Sequence, residues 1–144
     1  MDLTTSYPRS VREKHLDLVQ VARTIDKGKA SLAGKIGEYH YDCPMDKHLF
    51  EFLGIDAKSL LDAIKKGDAA TDEFLKPAIA KKNAAEIEKF NREWLEYGPA
   101  PGSDGEKYFL ELRDQVAPDR KDVTSWADLL DLDEKRPVAR RVHA

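Results

Sequence analysis

Cys43 is the only cysteine of the chain, and two of the four histidines stand close to it, His40 three residues before and His48 five after. A thiol with a base in reach could act as a nucleophile or a redox centre, because the thiolate is the reactive form. Pro44 follows directly. Proline suits the first position of a helix, so Asp42 or Cys43 is expected to cap one. There the backbone N–H groups and the helix dipole favour negative charge on sulfur. An orienting third group and an oxyanion site cannot be read from the sequence. A thiol-dependent or redox enzyme built on Cys43, with His40 or His48 as base, is therefore the alternative reading. The plainer role for a cysteine is that of a small buried hydrophobe.

The stretch RTIDKGKASLAGKIGEYHYDCPMDKHLFEFLGID, Arg23 to Asp56, also carries charge. On a helical wheel Lys29 falls between Ile25 and Leu32, near the centre of an apolar stripe. A buried ammonium must be paired or give up its proton. Asp26 is the nearest acid in sequence, and Glu38 or Asp46 could reach Lys29 through the fold. Arg23 and Lys29 for charge, Asp26 and Asp46 to orient them, and Tyr39 and Tyr41 to shape a pocket make a candidate site. A small anionic ligand or a protein carboxylate would suit it. The alternatives are a lysine that snorkels to the surface and a structural ion pair. His40, Cys43 and His48, with Asp46, do not have a zinc spacing, so neither metal nor cofactor is expected. Gly34 and Gly37 flank a helix end, where the dipole is wrong for phosphate, and read as a stop and a turn.

These residues need helices to hold them. Leu18, Val21, Ala22, Ile25, Leu32 and Ala33 share a face and predict a helix over 16–33, with an earlier turn at Ser10 from its capping-box spacing. Glu38 to Cys43 alternates as a short extended connector. Met45, Leu49, Phe52 and Leu53 stripe the next helix, 44–53. Phe50 departs from that stripe and needs a neighbouring helix or a partner subunit to cover it, which makes a homodimer a further alternative. Asp56 caps a helix to Gly67, and Thr71 or Asp72 starts one interrupted near Pro77. Helices over 84–97 and 105–117 and a last one capped by Thr124 or Ser125 complete the series. The expectation is an all-α domain of six or seven short helices over residues 1–134. Residues 135–144 form a basic, frayed tail.

The 144 residues fit one domain. One cysteine rules out an internal disulfide and agrees with a reducing compartment. No run approaches the ~18 apolar residues of a membrane span, and MDLTTSYPRSVREK lacks a signal-peptide core. A cytoplasmic protein is expected, with no membrane partner. Net charge is −3, and without the four charges of Lys135, Arg136, Arg140 and Arg141 it is −7. Such an acidic body repels a nucleic-acid backbone, so nucleic acid is not an expected partner. The oligomeric state stays open.

YPRSVREK near the start, the Arg23–Asp56 stretch and DRKDVTSWADLLDLDEKR near the end together resemble the bacterial domain of unknown function family 5069. The resemblance covers most of the chain. It implies a compact helical domain of bacterial type and carries no activity. Arg9, Arg12, Arg23, Asp26, Lys27, Gly34, Gly37, Tyr39, Cys43, Pro44, Asp46 and Gly54 match its pattern. Lys29 stands where the family form has arginine, and His40 and His48 lie outside the pattern.

Overall fold

The computed structural model describes residues 1–140. Among them are seven helices and no strand: α1 Val21–Leu32, α2 Pro44–Leu53, α3 Ala57–Lys66, α4 Asp68–Ala80, α5 Ala84–Glu96, α6 Asp104–Val116 and α7 Trp126–Asp133. The chain divides into two compact units, Met1–Lys89 and Phe90–Ala144, with the division inside α5.

In the first unit α1 packs on α3, and α3 on α4. Gly28 faces α3 where the two helices approach. A methyl group there would lie 2.7 Å from Ile64 Cδ1 and 3.5 Å from Leu61 Cδ1. Leu18, Val19, Val21, Ala22, Ile25, Leu49, Leu53, Leu60, Ile64 and Leu75 fill the interior. Full burial of one such large aliphatic side chain stabilises by about 1.5–3 kcal/mol. Two helix ends follow the sequence signals. Gly34, at φ 69°, closes α1, with Lys35 N–H donating to Ala30 O and Gly34 N–H to Ser31 O. Gly54 closes α2 in the same left-handed conformation.

α1 starts later than its periodicity predicts. Residues 10–20 form turns, with Glu13 N–H on Ser10 O and an isolated antiparallel bridge between His15 and Leu18. Leu16, Asp17 and Gln20 all have positive φ, which no helix permits. Leu18 is buried from this turn, while Leu32 is exposed. Residues 38–43 form no strand, and Asp42 at φ 66° turns the chain into α2. α4 opens at Asp68, before Thr71, and runs through Pro77 unbroken. Phe50 does not await a partner subunit. It is buried, with its ring 6.2 Å from that of Tyr41.

In the second unit α6 packs on α7 around Phe109, Val123 and Leu129. Trp126 meets Phe109 edge to face at 5.0 Å. Ser103 and Ser125 cap α6 and α7, accepting from the N–H groups of Glu106 and Asp128. Arg120 donates to the carbonyls of Val138 and Ala139, and Arg140 pairs with Asp119. Residues 141–144, part of the expected basic tail, lie outside the described residues.

Candidate functional site

α1 is buried on nearly every side from Val21 to Gly28. Its polar residues therefore have no water to face, and each needs a partner within the protein. Two clusters meet that need.

The first is centred on Asp46, which is 0% exposed. Gln20, Thr24 and Lys27 follow one another at i, i+4 and i+7, and all three reach its carboxylate. Lys27 Nζ donates to Oδ2 at 2.7 Å, Thr24 Oγ1 to Oδ1 at 2.6 Å, and Gln20 Nε2 to Oδ1 at 3.2 Å. The fourth donor is the backbone N–H of Cys43, at 3.2 Å from Oδ2. Asp46 is the third residue of α2 and Cys43 its N-cap, so the carboxylate turns back over its own helix start as in a capping box. The Lys27 side chain is 4% exposed. Such an ion pair holds only because both charges are paired and multiply hydrogen-bonded.

Lys27 makes a second contact. Its ammonium also donates to Cys43 Sγ at 3.2 Å. Cys43 as a residue is only partly buried, and its thiol rests against a cation held from behind by Asp46. His40 and His48 are both exposed. Among the described residues no group of three His, Cys, Asp or Glu side chains is placed to hold a metal.

The second cluster joins α1 to the N-terminal segment. Arg9 grips Asp26 with its backbone N–H at 2.8 Å and with Nε and Nη2 at 3.1 Å each. The Asp26 hydrogen bond holds the Arg9 guanidinium even more firmly protonated than usual. Arg23 is buried, donates to Arg9 O and stacks over the Tyr39 ring at 5.5 Å.

The structure thus splits the residues that the sequence grouped. Asp26 takes Arg9, not Lys29. Lys29 is not in the core. Its side chain is 35% exposed and its ammonium meets Asp68 at 2.8 Å, an acid 80% exposed. The Lys29 hydrogen bond lowers the Asp68 carboxyl below its ordinary range. Tyr41 donates from its hydroxyl to Ala57 O at 2.6 Å. Burial raises its phenol well above the usual value, with Asp46, Asp42 and Asp56 adding to the effect. The buried lysine is Lys27, which reading the periodicity of α1 as a single apolar stripe missed. The signal that could have found it is the polar run Gln20, Thr24, Lys27 at helical spacing.

The sequence model of a family described as Domain of unknown function (DUF5069) matches residues 5–136, nearly the whole chain. No curated protein matches it.

Proposed function

This chain belongs to the DUF5069 family, and on that premise we propose that it is a cytoplasmic bacterial protein whose chemistry is carried by the thiol of Cys43. One observation carries the reading: Sγ of Cys43, a partly buried residue, accepts from a buried ammonium, Lys27, at 3.2 Å. A cation beside a thiol at a helix N-terminus is the setting in which a cysteine attacks electrophiles or passes electrons. Asp46, with its donors Gln20 and Thr24, is a positioning residue, because it fixes Lys27. A single cysteine and the resemblance to a bacterial family support the compartment and source. The test compares iodoacetamide labelling of Cys43 in the folded and urea-unfolded protein, with each rate divided by that of a free thiol in the same solution. Faster labelling of the folded chain is expected. Slower labelling would mean that the cysteine only fills space.

A second reading, binding of a small anion or a protein carboxylate, is favoured by Lys29. Its partner Asp68 is largely exposed, and an ion pair at such a surface is weak. Arg23, Asp26, Tyr39, Tyr41 and Asp46, the other members of that expected site, are engaged inside the first unit. An incoming anion would thus meet Lys29 alone of that set. Inorganic phosphate should then shift the Lys29 and Asp68 amide resonances. Unmoved resonances would remove this reading. Neither nucleic acid nor a membrane is among the partners proposed.

A further inference from the structure

A thiol oxidised to a sulfenic acid is captured most easily by a second cysteine, and this chain has none. The group in reach is an amine. Lys27 Nζ stands 3.2 Å from Sγ, is held there by Asp46 at 2.7 Å, and is almost wholly shielded from water. From this geometry we infer that Cys43 and Lys27 form an oxidation-dependent sulfur–nitrogen cross-link, a sulfenamide that staples α1 to the head of α2. This inference rests on Cys43 being a reactive thiol, as proposed above.

The chemistry needs one oxidant, hydrogen peroxide. The thiolate attacks one peroxide oxygen and the O–O bond breaks. Sulfur is oxidised to the sulfenic acid, peroxide is reduced, and water leaves. Lys27 then passes a proton to Asp46 Oδ2, its hydrogen-bond partner. The freed amine attacks sulfur, an N–S bond forms and the S–O bond breaks. The leaving hydroxide takes the second nitrogen proton and departs as water. Overall, thiol, amine and peroxide give the sulfenamide and two waters. A thiol reductant reverses the link by attacking sulfur and releasing the amine.

The arrangement suits capture over further oxidation. The amine is already at van der Waals distance from sulfur, so closing the bond requires no rearrangement of α1 or α2. A backbone nitrogen forms the same kind of link with a sulfenic acid when it is held as close.

The experiment treats the full chain with peroxide, quenches it and maps peptides by mass spectrometry with and without a thiol reductant. The expected product is a Lys27-containing peptide joined to the Cys43 peptide, two hydrogens lighter than their sum, which reductant separates. Trypsin should fail to cut after Lys27 until then. Lys27→Arg should lose the link and accumulate the sulfinic acid instead. A wild-type chain whose Cys43 is trapped by dimedone, becomes sulfinic acid or pairs with a second chain, while Lys27 stays unmodified, overturns the cross-link and leaves the reactive thiol standing. A Cys43 that neither peroxide nor iodoacetamide modifies overturns both.

Discussion

Replacing Asp46 by Asn removes one charge and almost no volume, and it should cost more than any surface change in the first unit. The amide still offers an oxygen to Gln20 and Thr24. It leaves the Lys27 ammonium, 4% exposed, without a counter-charge. Breaking a buried pair this way costs about 3–5 kcal/mol. Lys27→Met should fall at the lower end of that range, because the carboxylate keeps three donors, Gln20, Thr24 and the Cys43 N–H. With both replaced, no charge is stranded, and the loss should shrink to about 1–2 kcal/mol, roughly that of the missing hydrogen bonds. The double-mutant cycle therefore predicts strong non-additivity, with the double variant more stable than either single one. Hydrogen exchange of peptides spanning α1 and α2 is the suitable assay. Trp94 and Trp126 both lie in the second unit, so tryptophan fluorescence would miss the event. Urea midpoints read by helical circular dichroism should fall by about 2 M for Asp46→Asn, given a slope of about 1–3 kcal/mol per molar. Additive losses, or a double variant less stable than both singles, would refute the claim that the pair is buried and coupled.

Three further outcomes follow from the geometry. The Tyr41 phenol is raised, so its stabilisation is complete below the unfolded value near about pH 10 and is lost as pH rises from there toward the folded value. Tyr41→Phe should lose about 1 kcal/mol at neutral pH, from the bond to Ala57 O, yet flatten the alkaline fall in urea stability. Lys29→Met should leave the urea midpoint nearly unchanged, since its partner Asp68 is solvent-exposed, in contrast to Lys27→Met two residues away. Gly98→Ala should lower the thermal midpoint of the second unit, because the added carbon would lie 2.2 Å from Thr124 O. An unchanged midpoint would show that the loop gives way.

Most helices after α1 were legible because their signals are local; α4 was not, since it opens at Asp68 without a side-chain cap and runs through Pro77. Asp56, Ser103 and Ser125 cap as short polar side chains do, and Gly54 stops α2 where a left-handed residue is needed. The start of α1 was not, because Leu18 continues the apolar spacing while Leu16, Asp17 and Gln20 bend the chain through positive φ. The site was half legible. Cys43 at the head of α2 and Asp46 nearby could be placed from Pro44 alone. The choice between Lys27 and Lys29 could not, because it depends on what covers the polar side of α1. Wheel reasoning assumes water there. In the fold that side meets Arg9 and the start of α2, so a lysine off the apolar stripe becomes the buried one.

The account turns on Lys27 acting on Cys43. Its most direct test is the labelling rate of Cys43 by iodoacetamide in folded wild-type, Lys27→Arg and Lys27→Met chains at one pH. The contact at 3.2 Å predicts the fastest labelling in wild type, an intermediate rate with arginine and a rate lowered several-fold with methionine. Equal rates in the three folded proteins would contradict it.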